Sequence, residues 1–358
     1  MTRAPHGRGI ERQVHKVHKV HSAVVAAATR PEIRDRSSPV HDFNIRAQRM
    51  NQRLNEQLWQ ERLKRVAPTT PPMPALREEA LQTGRWYPEP HHMSQNELWE
   101  CVKREAAFQA KEEPVLASFL HMTVIMHASL GKGLAFLLAN KLASSTLLGT
   151  QLTQLILEAY KDDPELLAAC VADLEAVHAR DPARQSYLQG LVFFKGFQAL
   201  QVHRIAHWMW RKGRRALALA LQSRMSEVFA VDIHPAATIG RGVMMDHASG
   251  IVIGETAVVG DNVCMLHHVT LGGSGTGTGT RHPIVGNGVL LGAGVSVLGP
   301  VVVGHSSKIG AGSVVVTDVP AHCVAVGVPA KVVKKLKDGV EPTQDMDQTR
   351  DFILDYVI

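Results

Sequence analysis

A six-residue period runs from Ile233 to Val315, and nothing else in the sequence restricts the fold as tightly. Aliphatic or methionine side chains fall at Ile233, Ile239 and Met245, again at Ile253, Val259, Met265 and Leu271, and again at Val285, Leu291, Val297, Val303, Ile309 and Val315. Eight of these thirteen positions are followed directly by glycine. A period of six is neither the 3.6 of a helix nor the two of an ordinary strand. It describes a short strand and a turn, repeated, with one aliphatic side chain sent inward each time. Three such units close a triangular coil of about 18 residues, and stacked coils bury a continuous column. The glycines supply turn conformations that a Cβ would penalise. The segment reads as a left-handed parallel β-helix of hexapeptide repeats.

The rest of the chain has a different texture, so the whole is an α+β protein. Residues 96–230 read as a helical domain. Segments 97–111 and 114–127 carry apolar residues at three- and four-residue spacing. Asp163-Pro164-Glu165 opens another helix with proline at its first position, and Arg180-Asp181-Pro182 starts a further one. The apolar stretch 191–210, followed by Lys212, Arg214 and Arg215, reads as a core helix with a solvated end rather than a membrane-surface helix. No apolar run reaches the roughly 18 residues of a membrane span. The solenoid takes 231–335, and 336–358 reads as a flexible acidic tail.

The net charge of +6 belongs to the first 95 residues, whose 16 Lys+Arg against 9 Asp+Glu leave the remainder at −1. No folded basic face is implied, which argues against nucleic acid as a partner. Residues 1–40 are basic and poor in acids. They read either as a transit peptide to plastid or mitochondrion or as the basic tail of a soluble cytoplasmic protein. The four cysteines, Cys101, Cys170, Cys264 and Cys323, form no CxxC pair, so neither a disulfide framework nor a cysteine metal site is expected.

Solenoid registers are strict, and interruptions mark loops that often lie on a binding face. One break, between Met245 and Ile253, contains Asp246-His247-Ala248-Ser249-Gly250; the other, 273–284, is rich in Gly, Ser and Thr and ends in Arg281-His282-Pro283. Asp232 lies fifteen residues before His247, which suggests adjacent coils near one edge. A carboxylate beside an imidazole orients it and stabilises its protonated form, the pairing used for general-base acyl transfer. No serine or cysteine nucleophile stands out, so direct transfer to an external nucleophile fits better than a covalent acyl-enzyme. His267-His268 begins an HHxxxDG-like pattern, but no Asp-Gly follows. Ala293 and Ala311 are eighteen residues apart. They sit at equivalent places in two coils, either as tight turn packing or as the floor of a groove for a long thin ligand.

These segments resemble the serine acetyltransferase family. The resemblance is carried by Arg180-Asp181-Pro182, the run Lys195 to Gln201, His207-Trp208, Val231 to Ala237, Asp246-His247-Ala248, Gly254-Glu255-Thr256, Val269 to Gly273 and Arg281-His282-Pro283, with Gly327-Val328-Pro329-Ala330-Lys331 closing the repeat. Asp355-Tyr356-Val357-Ile358 is similar to the tail of plant-type members. The resemblance implies acetyl transfer from acetyl-CoA, a co-substrate rather than a bound cofactor, to L-serine. It makes His247 the base and Asp232 its partner. Asp181 and Asp246 would hold the substrate ammonium, Arg281 its carboxylate, and His282 would sit near the reacting hydroxyl. Gly273, Ser274, Ala293, Gly294, Lys308 and Ala311 would line the acetyl-CoA groove. It further implies no metal, a hexamer of two trimers, feedback inhibition by L-cysteine, and O-acetylserine sulfhydrylase as a partner of the tail through Ile358.

Two other classes compete. A γ-class carbonic anhydrase shares the β-helix and would bind zinc through histidines such as His247, His267, His268 and His282. A non-catalytic scaffold would use only the tail. The closing motif and the helical domain argue against the first, and intact Asp232, His247, Arg281 and His282 against the second.

Overall fold

Helix α1 (Gln95–Glu112) opens the described part of the chain: the computed structural model describes residues 93–347, apart from 276 and 338. Its start is fixed by a capping box, in which the Ser94 hydroxyl accepts from the Glu97 amide and the Glu97 carboxylate accepts from the Ser94 amide at 2.8 Å. There follow α2 (Pro114–Leu120), a π-helical turn (His121–Ile125), α3 (Leu130–Leu142), α4 (Gly149–Asp162), α5 (Glu165–Arg180), α6 (Tyr187–Phe193), α7 (Lys195–Arg211) and α8 (Arg215–Phe229). Trp99 packs on α3 where Gly133 gives it room; a Cβ there would fall 2.4 Å from the ring.

Two helix boundaries differ from the sequence reading. Arg180-Asp181-Pro182 ends a helix rather than starting one. Proline disfavours a helical residue before it, and Asp181 is the extended C-cap of α5, its Oδ1 accepting from the Ala183 amide at 2.8 Å. The apolar stretch 191–210 is two helices, not one. The chain breaks at Phe194, where Gln198 Nε2 donates to the freed carbonyls of Leu191 and Val192 at 3.0 and 2.7 Å.

The solenoid begins one residue after α8. Its first coil is β1 (Val231–Ile233), β2 (Thr238–Ile239) and β3 (Met244–Met245), and its second is β4 (Ile251–Ile253), β5 (Val258–Val259) and β6 (Cys264–Met265). The third is β7 (Thr270–Gly272), β8 (Ile284–Val285) and β9 (Leu290–Leu291), and the fourth is β10 (Ser296–Leu298), β11 (Val302–Val303) and β12 (Lys308–Ile309). A fifth carries β13 (Val314–Val315) and β14 (Cys323–Gly327). Three parallel ladders result: β1-β4-β7-β10-β13 on one face, β2-β5-β8-β11 on the second, and β3-β6-β9-β12-β14 on the third. This is a left-handed parallel β-helix preceded by helices, as the period predicts. An antiparallel strand, β15 (Ala330–Lys335), pairs with β14 and covers the open end of the third face.

All thirteen periodic positions lie in strands, but each unit sends two side chains inward, not one. Val231, Val243, Ile251, Val263, Val269, Val289 and Val295 are as buried as their partners two residues later, because residues i and i+2 share a strand face. The glycines after the strands also have another reason than the one expected. None of Gly240, Gly260, Gly286, Gly292 and Gly304 has a positive φ; a Cβ on Gly304 would fall 2.3 Å from the Ala321 amide nitrogen of the next coil. They are set by coil-to-coil approach.

Helices and solenoid share one hydrophobic core. The seam between them is pinned by a buried ion pair: Arg204 on α7 gives a two-pronged bond to Asp173 on α5, at 2.9 Å from both Nε and Nη2. Arg204 Nη2 also donates to the Gly240 carbonyl at 2.7 Å, and Asp173 accepts from the Val243 amide at 3.0 Å. The sequence reading leaves 336–347 without structure. Here Leu336 is buried and a short helix, α9 (Pro342–Asp345), lies on α5 with Thr343 sealed beneath it. Lys308 Nζ donates to the Asp347 carbonyl at 2.9 Å. Among the described residues no helix is long and apolar enough to cross a membrane.

Candidate active site

The coil cross-section is a triangle, and the chemistry-bearing residues gather at two of its corners. The first corner joins each strand of the third face to the next strand of the first. Here Asp246, His247, Ala248, Ser249 and Gly250 replace a shorter turn, with two consecutive residues in a left-handed backbone. His247 and Ala248 both adopt left-handed φ, 55° and 57°, a conformation that costs free energy for a non-glycine residue. The turn is held by the Gly250 amide, which donates to the Ala230 carbonyl at 2.8 Å, and by Lys195 Nζ, which donates to Ser249 Oγ at 2.5 Å. The backbone thus throws the His247 ring outward, and its side chain is 74% exposed.

One carboxylate lies beside that imidazole and a second lies near the first. Asp246 Oδ1 lies 3.8 Å from His247 Nε2, and Asp181, at the end of α5, is close enough to act on Asp246 electrostatically. Burial pushes the Asp246 carboxyl up and Asp181 adds to the effect, while His247 opposes it. Such a pair is poised to gain from an ammonium group between them. Arg180 positions Asp181 by donating from Nη1 to the Gly242 carbonyl at 2.9 Å and from Nη2 to Asn262 Oδ1 at 3.0 Å.

The same corner continues down the stack. The His268 amide donates to the Ser249 carbonyl, the Gly294 amide to the His267 carbonyl and the Gly312 amide to the Ala293 carbonyl. Counted from the strands that lead into it, which pair Met245 with Met265 and Met265 with Leu291, the corner reads His247, His267, Ala293 and, by the last of those bonds, Ala311 from coil to coil. Two imidazoles, their centroids 6.0 Å apart, sit above two small residues. Ala293 and Gly294 lie at the third of these turns and Lys308 on β12 beside it, buried. His267 is the residue that sequence reasoning set aside. The signal was available, because His267-His268 sits twenty residues after His247-Ala248 and the strands before them pair Met245 with Met265.

The second corner, between the first and second faces, holds Arg281 and His282. Arg281 Nη2 donates to Glu255 Oε2 at 2.6 Å, which holds the Glu255 carboxyl below its usual range. The loop after β7 starts here with Gly273 and Ser274, the Ser274 amide donating to the Arg281 carbonyl at 3.2 Å. The buried His282 ring stacks on bare backbone; a Cβ on Gly254 would lie 1.9 Å from its Nε2. His234 shares this corner, its pKa lowered by burial first.

Asp232 stands between the two corners, on β1 opposite Val252. Its Oδ1 accepts from Gln222 Nε2 at 2.7 Å, and no bond links it to His247 among the described residues. Nor do the histidines converge: His247, His267 and His268 are at one corner and His282 at another, and among the described residues no cluster of His, Cys, Asp or Glu could hold a metal ion. Ile358 lies outside the described residues.

Residues 98–202 match the family model "Serine acetyltransferase, N-terminal". The chain is 52% identical over 251 residues to the serine acetyltransferase of Salmonella typhimurium, spanning 70% of this chain and 92% of that protein. The solved structure of soybean serine acetyltransferase complexed with serine superposes with a TM-score of 0.66 at 54% identity, covering 68% of this chain and all of that one. A serine acetyltransferase in complex with cysteine superposes at 0.70 and 45% identity, covering 71% and 99%. With half its residues shared along nearly the full length of such a relative, the chain belongs to the serine acetyltransferase family.

Proposed function

We propose that the protein transfers the acetyl group of acetyl-CoA to the hydroxyl of L-serine, giving O-acetyl-L-serine and CoA, the first step in making cysteine from serine. The observation that carries the reading is the first corner: an exposed imidazole beside Asp246, with Asp181 near that carboxylate and two small residues further down the stack. His247 takes the hydroxyl proton as the serine oxygen attacks the thioester carbonyl. The tetrahedral intermediate then collapses, the C–S bond breaks, and the imidazolium returns the proton to the departing thiolate. Asp232 keeps acceptor capacity beyond its bond from Gln222 and serves as the partner of His247. Asp181 and Asp246 hold the substrate ammonium, and Arg281 its carboxylate. Gly273, Ser274, Ala293, Gly294, Lys308 and Ala311 line the groove for acetyl-CoA. L-cysteine, which shares the ammonium and carboxylate of serine, competes for the same contacts. A panel of hydroxyl acceptors with acetyl-CoA, read by thiol release, tests the reaction: release that L-serine does not stimulate would end this reading.

Because Arg281 and His282 lie at a different corner from His247, a site using both is completed by a neighbouring copy, which supports a trimer of solenoids packed side by side. The helices supply a second contact between copies. Phe108, Val115, Phe119, Met122 and Met126 expose apolar surface on α1, α2 and the π-turn, and Phe119 stacks with the exposed Phe193 at 6.4 Å. That face suits the joining of two trimers into a hexamer.

Arg281→Lys should raise the serine KM and weaken cysteine inhibition in parallel, because lysine cannot reproduce a planar two-pronged contact. Initial rates at varied serine and varied acetyl-CoA check this; an unchanged serine KM would move the carboxylate site elsewhere.

The tail provides the partner contact in this reading. An aliphatic residue with a free carboxylate at the end of a tether suits a pocket that binds a small amino-acid carboxylate, as in O-acetylserine sulfhydrylase. Deleting Ile358 should abolish measurable complex with that enzyme, by calorimetry or gel filtration, and leave acetyl transfer near wild type. Retained binding would sink the tail contact.

A further inference from the structure

The hydrogen bonds around Thr256 can be counted to a unique answer. Its Oγ1 lies 3.1 Å from the Arg281 amide nitrogen, 3.1 Å from the His282 amide nitrogen and 2.9 Å from His282 Nδ1. A hydroxyl has two acceptor sites and one donor. The two amides can only donate, so they fill both acceptor sites and leave the hydroxyl hydrogen for His282 Nδ1. The Thr256 amide also points at Nδ1, at 3.2 Å. Two donors therefore meet Nδ1, which must carry a lone pair and no proton. A neutral imidazole then has its hydrogen on Nε2.

We infer that Thr256 is a positioning residue that holds His282 as the Nε2–H tautomer, making His282 a hydrogen-bond donor to the acceptor substrate's hydroxyl oxygen and leaving it no nitrogen free to act as a base. The inference rests on the acetyl transfer proposed above and divides the work between two histidines. The serine hydroxyl has one hydrogen and two lone pairs. The hydrogen goes to His247, one lone pair takes the Nε2–H of His282, and the other is left to attack the acetyl carbon. Nε2 makes no bond to protein among the described residues and is not sealed from solvent. The charged groups facing the ring are Arg281, Glu255 and His234. Burial and the Arg281 guanidinium hold its pKa below the ordinary value, and Glu255 opposes them. The ring therefore stays neutral where the tautomer matters.

The test uses the full chain with 15N-labelled histidine in microcrystals. Solid-state NMR reads the protonation of each ring nitrogen, and the His282 signals are identified by their loss in His282→Gln. Wild type should show Nε2 protonated and Nδ1 bare; a proton on Nδ1 would overturn the inference. Thr256→Val removes the hydroxyl and should raise the pH at which His282 takes its second proton, whereas Thr256→Ser should not. An unchanged titration in Thr256→Val would overturn the role of Thr256. The activity readout is a pair of isosteres. Glutamine places an amide nitrogen where Nε2 stands and asparagine places one where Nδ1 stands. His282→Gln should therefore exceed His282→Asn in kcat/KM for serine by roughly fivefold or more, the worth of one neutral hydrogen bond. Equal or reversed activities would count against the donor role, and this comparison decides even where Thr256→Val fails to fold. If L-serine is not the acceptor at all, the proposed reaction fails while the spectrum still decides the tautomer.

Discussion

Turnover in His247→Ala should fall by roughly two to four orders of magnitude, the usual share of a general base. The magnitude follows from what the imidazole does. Without it the serine hydroxyl must lose its proton to water while the oxygen attacks, and the next imidazoles of that corner, His267 and His268, belong to the following coil, with His267 Nδ1 buried without a partner. Acetyl-CoA affinity should hardly move, because the ring acts on the acceptor and the small residues further down the corner are untouched. The measurement is steady-state thiol release with both substrates varied. Activity within about tenfold of wild type would take the base away from His247.

The second large effect is on stability. Arg204→Ala should cost about 3–5 kcal/mol in urea unfolding, since removing one partner of a buried ion pair leaves the other charge without compensation. Asp173 would remain fully buried with only Gln201 and the Val243 amide as donors. The Gly240 and Ile239 carbonyls would lose their guanidinium donor as well. Arg204→Met with Asp173→Leu should recover much of the loss, because apolar replacement of both partners is often close to neutral. A single variant as stable as wild type would show that the seam is not held there.

How far the sequence can be read depends on whether a physical rule leaves a regular mark. The inward positions of the solenoid were legible because a coil that misplaces one of them loses the column. The second inward layer was not, since it mixes Val with Ala237, Ser307 and Ser313 and hides the period. The break at Phe194 was harder to see, because the apolar pattern resumes after Lys195-Gly196 and the freed carbonyls are met by a glutamine four residues on. The positive φ at His247 and Ala248 could not be foreseen, as neither is glycine. What could be seen was the two-residue slip in register at that turn. Arg281 and His282 were found by the longer slip, but a linear pattern carries no information on which corner a loop leaves from. Their separation from His247 emerged only from the ladders.

The corner that runs from His247 to Ala311 has a fixed spacing. Neighbouring strands stand about 4.8 Å apart, so the imidazole and the furthest small residue are three steps, or about 14 Å, apart along the axis. A stack of this kind is a ruler with one graduation per coil. The acceptor chemistry is tied to the helical end by α5 and α7, whereas the lower graduations depend only on the coils above and below them. Gain or loss of a whole coil would change the length of donor the corner measures while leaving the proton chemistry where it is. In this architecture the two halves of a transfer reaction can drift apart in evolution, one coil at a time.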